Sequence, residues 1–251
     1  MRTLYNLTHR IILNPVRLIT QSVTRALFPA LAKIKDDNYQ LKDKYLRACG
    51  GIAIISFPLL SGAAVLSEQF VLTLFGEKWR PIILLVKILS PLAIIQSITT
   101  TVGVIYLVKA KTNLLLYWQI GSGITTLISV AVGLNWGLIG VATSYSIAII
   151  LLTYPAFYIP FRLIELRVLD LLKELYPYLI ATLIMSFVVY LFRLVLLQQN
   201  NQNFIVLIAC TIIGILSYLA TMLLLRPRGL YDLLKTLPIT GNLIVSNKDS
   251  C

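Results

Sequence analysis

Long uncharged stretches alternate with short charged segments along the whole chain. Four stretches carry no charged residue over at least 21 positions, and two more are interrupted only by Glu68 and by Arg193. A helix needs about 20 apolar residues to cross a bilayer, so each stretch predicts a membrane-spanning helix. We predict spans at about 50–75, 82–108, 114–134 and 137–161, and a terminal pair within 175–225. Arg193 is expected to reach towards a headgroup.

A seventh helix is predicted at about 11–32, where polar and apolar positions separate onto two sides. At about 100° per residue, five polar residues fall within about 80° of one another. We call them the cationic stripe: Arg10, Asn14, Arg17, Gln21 and Arg25. An Arg in the middle of a lipid-embedded helix costs about 2.5 to 3.5 kcal/mol, so the stripe is expected to face water or an anion. The alternative is a surface helix that lies on the headgroups.

The predicted fold class is therefore all-α, a polytopic integral membrane helix bundle of about seven transmembrane helices. A β-barrel is excluded, because its strands would alternate in polarity over about 10 residues. Composition agrees: the 251 residues are 58% hydrophobic and 13% charged, with a mean hydropathy of +0.84. A soluble domain would be about a quarter charged.

The net charge of +12 follows from topology. Alternate inter-span segments, taken with the tail, carry 14 Lys and Arg against 3 in the other set, which places the larger set in the cytoplasm. Segment 33–47 and tail 226–251 are then cytoplasmic, and no nucleic-acid partner is needed. Met1 falls outside with no signal peptide, so a segment upstream is expected to be missing. Segment 162–174 is amphipathic and is expected to be a cytoplasmic interfacial connector.

Residues that could carry chemistry are few. The chain has one His and three Cys without metal-ligand spacing, so we expect no enzyme activity, no metal and no cofactor. Glu68 and Lys87 reach comparable depths and could form an ion pair, snorkel separately, or leave Glu68 to bind a coupling ion. Polar residues inside spans either hydrogen-bond between helices or line a hydrated path. Those considered for such a path are Gln96, Thr100 and Gln119.

Four runs in this order carry a resemblance to a known family: NPVRLITQSVTRALFPALAKIKDD, FPLLSGAAVL, VLTLFGEKW and ILSPLAIIQSI. Over about 4–225 the chain resembles the C-terminal half of polysaccharide flippases. These form the lipopolysaccharide and exopolysaccharide branch of the multidrug, oligosaccharidyl-lipid and polysaccharide exporter superfamily. The resemblance implies two six-helix lobes plus a terminal pair around a cationic cavity, with 1–161 as a second-lobe-like bundle and the first lobe absent.

The resemblance also implies a function. Such proteins move undecaprenyl-pyrophosphate-linked oligosaccharide across the bacterial plasma membrane for polysaccharide export. In this chain Arg10, Arg17 and Arg25, with Asn14 and Gln21, would bind the pyrophosphate, because guanidinium groups bind phosphate bidentately. The chain would be truncated or split, with membrane lipids, a missing N-terminal half or polysaccharide assembly proteins as partners. The alternatives are a non-transporting membrane subunit, a gene remnant, or a drug or cation exporter of the same superfamily.

Overall fold

The structure is a computed structural model that describes residues 27–198 and 203–225. The cationic stripe and the tail 226–251 lie outside the described residues. Residues 27–32 are helical, and short 3-10 turns lie at Glu77–Trp79 and Leu134–Trp136. The described part has no strand. The helices that follow residue 32 are α1 Asn38–Val65, α2 Ser67–Phe75, α3 Ile82–Thr99, α4 Val102–Val108, α5 Thr112–Gly133, α6 Gly137–Arg162, α7 Val168–Gln198 and α8 Asn203–Leu225.

The chain is an all-α, polytopic membrane bundle, as the apolar stretches predict. Within the described ranges, six helical segments are long and apolar enough to cross a membrane. The first of them, Asn38–Val65, is α1, and Ile82–Val108 runs through α3 and α4. The short α2 follows α1 after one residue, and we call α1 and α2 together the first span. The seventh predicted span, 11–32, lies outside the described residues except for its last turn.

The helices pack in a row. Each contacts chiefly its neighbours in the order α8, α7, α1, α3, α6 and α5, and α4 adds contacts to α5 and α6. The main core surrounds α1, where Tyr45 packs edge-on against Phe161 with ring centroids 5.8 Å apart. Leu27 and Leu31 are buried in the same core. At the far end of the row, Gly133 is the one buried residue of α5.

The first span begins well before the predicted position 50. Asp37 precedes α1, and its carboxylate accepts hydrogen bonds from the Gln40 backbone N–H at 3.0 Å and the Gln40 side-chain amide at 2.9 Å. The backbone N–H of Gln40 holds the pKa of Asp37 below its ordinary value. Such a cap satisfies one of the free N–H groups at a helix start, so the helix begins in the charged segment.

Residues 162–174, where we predict a connector, divide between the end of α6, a short connection and the start of α7. Residues 163–167 form the connection, with Glu165 in the left-handed region at φ 55°, and α7 begins at Val168. Helix α7 has 31 residues and is about 46 Å long at 1.5 Å per residue, against about 30 Å of hydrocarbon. The charged residues of 168–174 therefore lie on the protruding first turns of a spanning helix, which explains their amphipathic spacing.

Candidate functional site

The face of α1 that packs on α3 carries the polar contacts nearest the centre of the row. The Tyr45 hydroxyl lies 2.9 Å from Thr101 Oγ1, and Cys49 Sγ lies 3.8 Å from the same oxygen. Nearer the middle of α1, Ser56 Oγ lies 3.1 Å from Ser97 Oγ. We call these five residues the polar seam. Positions 45, 49 and 56 fall within about 40° of one another on a helix, so one side of α1 presents all three.

The polar seam surrounds a break between α3 and α4. The backbone N–H of Thr101 donates to the Ile98 carbonyl at 3.0 Å, a three-residue step in place of the four-residue step of an α-helix. The hydroxyls of Thr99, Thr100 and Thr101 each donate to the carbonyl three residues earlier, at 3.3, 3.2 and 2.7 Å. Hydroxyls that bond back to the helix bend it. The span therefore consists of two helical segments that meet inside the protein. At the junction, the Thr101 hydroxyl of the polar seam hydrogen-bonds the irregular backbone.

Of the polar residues considered for a hydrated path, the structure brings two together. Gln96 is half-buried on α3 and donates from Nε2 to the Tyr145 hydroxyl of α6 at 2.7 Å. Thr100 follows one turn later and is exposed. Gln119 is exposed on α5, on the far side of α6 in the row. The three residues therefore do not form one cluster within the described part of the chain.

The structure pairs Glu68 with Arg193 and not with Lys87, which depth along the spans makes one candidate partner. Glu68 Oε2 accepts a hydrogen bond from an Arg193 terminal nitrogen at 2.6 Å, and Lys87 is exposed. The Arg193 side chain, expected to reach towards a headgroup, is instead only 12% exposed, and its Nε is buried without a hydrogen-bond partner. Depth along the two neighbouring spans brings Glu68 and Lys87 to the same level. Helix α7 also packs against the first span, however, and brings Arg193 to the level of Glu68.

Sequence reasoning also missed the second packed side of α1, which contacts α7. Ser61 Oγ lies 2.5 Å from Ser186 Oγ. Gly50 permits a close approach there, because a Cβ at this position would lie 2.9 Å from the Tyr178 hydroxyl. Gly50 and Ser61 project from α1 about 120° to 140° away from the centre of the polar seam. The available signal was the helical spacing of small and polar residues along α1.

The end of the bundle where α1 begins is held together by one asparagine. Lys109 Nζ donates to the Lys35 carbonyl at 2.6 Å and to Asn38 Oδ1 at 2.7 Å. Asn38 Nδ2 in turn donates to Glu165 Oε1 at 3.4 Å. Asn38 therefore links the connections after α4 and after α6, and Lys109 adds the connection before α1. In the part of the chain that the structure describes, no three His, Cys, Asp or Glu side chains cluster as metal ligands.

Comparison with known proteins bears on the first third of the chain. Residues 3–84 match the family model described as "Polysaccharide biosynthesis protein". This segment contains the cationic stripe, the whole of α1 and α2, and the Tyr45, Cys49 and Ser56 positions of the polar seam. The resemblance derived from the quoted runs is therefore confirmed for this part of the chain.

Curated relatives point the same way. The chain is 34% identical over 118 residues to the teichuronic acid biosynthesis protein TuaB of Bacillus subtilis, covering 47% of this chain and 24% of that protein. It is 29% identical over 156 residues to the lipopolysaccharide biosynthesis protein WzxC of Escherichia coli, covering 62% and 32%. An uncharacterized membrane protein in the cps region of Klebsiella pneumoniae is 34% identical over 110 residues, covering 44% and 23%. The aligned regions thus span between 23% and 32% of these relatives. No solved structure matches the chain significantly.

Proposed function

We propose that the chain is part of a transporter that flips undecaprenyl-pyrophosphate-linked oligosaccharide across the bacterial plasma membrane during polysaccharide biosynthesis. The observation that carries the proposal is the match of residues 3–84 to polysaccharide biosynthesis proteins. The matched segment holds the cationic stripe, the part of the chain whose chemistry suits a membrane-embedded anion. The spans supply a multi-pass scaffold, and no enzymatic step is part of the proposal.

A lipid pyrophosphate needs cationic donors inside the membrane. Its charged phosphates and polar sugars cannot cross the hydrocarbon core unaided, because leaving water costs too much free energy. A carrier must therefore offer a hydrated path with fixed positive charge. Arg binds phosphate through two parallel hydrogen bonds, and each such contact is about twice as strong as a neutral one. In this proposal Arg10, Arg17 and Arg25 bind the pyrophosphate, while Asn14 and Gln21 add neutral donors.

The polar residues of the later spans have a secondary part in the proposal. Thr100 and Gln119 expose their side chains, and Gln96 has a carbonyl oxygen in addition to the amide that bonds Tyr145. Amides and hydroxyls of this kind hydrogen-bond sugar hydroxyls. We assign these residues to the sugar path and not to the pyrophosphate site. The charge asymmetry of the loops orients the start of α1 and the tail to the cytoplasm.

The test replaces Arg17 and Arg25 by Ala in the chromosomal gene, so that whatever flanks or accompanies the chain in the cell is retained. Two lost charge-assisted contacts should reduce surface polysaccharide by about tenfold or more, while the amount of protein in the membrane stays constant. Lipid-linked oligosaccharide should accumulate in the cytoplasmic leaflet. The control removes the same charge from the tail, Arg226→Ala with Arg228→Ala, and should export normally. Normal export by the Arg17/Arg25 variant would refute the role of the stripe, and reduced export without accumulation would favour a non-transporting subunit.

A further inference from the structure

A groove of about 560 Å³ opens at the end of the bundle where α1 and α7 begin and α8 ends. Helix α1 contributes Lys42 and Asp43 to its walls, and α7 contributes Asp170, Lys173 and Glu174. The rest of the lining is aromatic or apolar: Tyr39, Leu46, Leu166, Tyr176, Pro177 and Leu225. The groove is far from the Glu68–Arg193 pair, since Glu68 follows the opposite end of α1. Neither the family resemblance nor the proposed transport site accounts for it.

The two lysines of the groove have no partner among the described residues. Lys42 is half-buried and Lys173 is exposed, and neither forms an ion pair with a described carboxylate. The nearby Arg47 does form one, with its Nε 2.8 Å from Asp43 Oδ2. Two unpaired ammonium groups on opposite walls of one groove are suited to an anionic group that fits between α1 and α7.

The carboxylates of the groove limit the net charge of what it can hold. Asp43 is paired with Arg47, and Asp170 accepts a hydrogen bond from the Arg167 backbone N–H at 3.3 Å. Three carboxylates against two lysines and the adjacent Arg47 make the groove close to neutral overall. A ligand with a net negative charge would be repelled by the carboxylates, whereas a zwitterion presents each charge to its opposite.

The groove lies at the level of the lipid headgroups. Lys42 is four residues into α1 and Lys173 five residues into α7, and in both helices the uncharged stretch starts within about two turns of these lysines, about 10 Å further along. Tyr39 and Tyr176 are exposed at the same end, as expected of aromatic residues at a membrane interface. The close approach of α1 and α7 at Gly50 lies beside Glu174, one of the residues that line the groove.

We infer that this groove binds the headgroup of a zwitterionic aminophospholipid in the leaflet at this end of the bundle. The ligand phosphate contacts Lys42 and Lys173, and its primary ammonium contacts the carboxylate side at Asp170. The acyl chains leave the groove past Leu46 and Pro177 along the outer surface of α1 and α7. Lysines in pockets between transmembrane helices bind the phosphates of lipid headgroups, and the carboxylates here add partners for an ammonium group. The inference does not depend on the proposed function, because it concerns membrane lipid and none of the residues assigned to the transported substrate.

The test measures lipid binding to the purified full chain by native mass spectrometry, with phosphatidylethanolamine and phosphatidylglycerol of identical acyl chains as probes. The wild type should retain phosphatidylethanolamine in preference to phosphatidylglycerol. Lys42→Gln with Lys173→Gln should weaken phosphatidylethanolamine binding about tenfold. Lys44→Gln with Lys78→Gln removes the same charge from exposed positions outside the groove and should change nothing. Asp170→Asn should abolish the preference between the two lipids.

Three results would overturn the inference. The first is equal retention of the two lipids by the wild type, which would remove the zwitterion argument. The second is an equal loss of binding in the groove variant and in the control variant, which would indicate a general charge effect. The third concerns the chain itself, because the tail 226–251 follows directly from Leu225 at the groove. A chain ending at Leu225 that binds the lipid, when the full chain binds none, would assign the groove to the tail.

Discussion

Helices α1 and α5 use the same polar residue types for different purposes. On α1, hydroxyls also reach other helices: Ser56 contacts Ser97 of α3 in addition to donating to the Ile52 carbonyl of its own helix, and Ser61 contacts Ser186 of α7. On α5, four hydroxyls donate only to carbonyls three or four residues earlier in the same helix. They belong to Ser122, Thr125, Thr126 and Ser129.

The difference follows from position in the row and not from composition. Helix α1 has a neighbour on each of two opposite sides, so its polar groups find partners there. Helix α5 ends the row, contacts chiefly α6, and buries one residue of the 22 in the helix. In lipid there is no water to hydrogen-bond a hydroxyl that lacks a partner on another helix, and the nearest acceptor is a carbonyl of its own helix. A polar residue in a span therefore indicates a helix contact only where a second helix is available.

The largest effect is expected at the Glu68–Arg193 pair, which joins the first span to α7. Glu68→Gln leaves Arg193, only 12% exposed, without its counter-charge, and should cost about 3 kcal/mol of unfolding free energy. Thermal unfolding in one detergent measures the loss. The double variant Glu68→Leu with Arg193→Leu should recover most of it. The control is Glu77→Gln, because the Glu77–Arg80 pair is open to solvent, with side chains 71% and 58% exposed. Equal effects at both sites would contradict a partner-dependent role for α7.

The next effect tests the single point at which α5 is tightly attached. A Cβ at Gly133 would lie 2.6 Å from Val141 Cα and 2.7 Å from the Gly140 carbonyl oxygen. Gly133→Ala should therefore force α5 and α6 apart and cost about 2 kcal/mol. On the same helix, Gly121→Ala meets no atom within 4 Å and should be neutral or slightly stabilising. Equal melting temperatures for the two variants would show that α5 is not anchored at Gly133.

A smaller effect should separate an interhelical hydroxyl from a self-bonded one. Thr101→Val removes the oxygen that contacts Tyr45 and Cys49, and should cost about 0.6 to 1.7 kcal/mol, the range for polar contacts between transmembrane helices. Thr125→Val is the matched change on α5, where the hydroxyl bonds only the Gly121 carbonyl. It should leave the unfolding free energy almost unchanged. A larger loss from the α5 variant would reverse the contrast.

The smallest effect concerns how the two helices start. The carboxylate of Asp37 caps α1, whereas no side chain caps α5. The pKa of Asp37 lies below 3.8, because the backbone N–H of Gln40 donates to the ionised form. Its contribution to stability is therefore complete above about pH 5 and is lost as the pH falls through the lowered pKa. The difference in melting temperature between wild type and Asp37→Ala should be small at neutral pH and should vanish at a pH below the lowered pKa. A difference that persists at that pH would show that the carboxylate charge is not the cause.

The spans could be predicted from sequence because lipid imposes a length and an apolarity that each helix must meet separately. The contacts between spans could not, because they depend on which helices become neighbours. Comparable depth makes Lys87 on the next span one candidate partner for Glu68, whereas the structure pairs Glu68 with Arg193, 125 residues away in the chain. Gly121 and Gly123 of α5 form a small-residue pair of the kind that permits close helix packing, yet a Cβ added at either would meet no atom within 4 Å.

The break at Thr100 and Thr101 shows a second limit. Three consecutive threonines in an uncharged stretch are compatible with a continuous helix or with a bend. The outcome depends on Tyr45 and Cys49, which lie more than 50 residues earlier and surround the break. For the candidate transport site the situation is reversed. Its residues and their chemistry are inferred from the sequence alone, because the cationic stripe lies outside the described residues.

The contacts between the first span and α7 constrain how the protein is made. Ser61–Ser186 and Glu68–Arg193 both join residues 125 positions apart. A ribosome adds about 5 to 20 residues per second, so the second partner is synthesised on the order of 10 s after the first. Glu68 thus enters the membrane with its counter-charge not yet translated. Insertion of α7 then brings Arg193 to Glu68 and covers one side of α1. The ion pair can therefore form only late in the assembly of the helices.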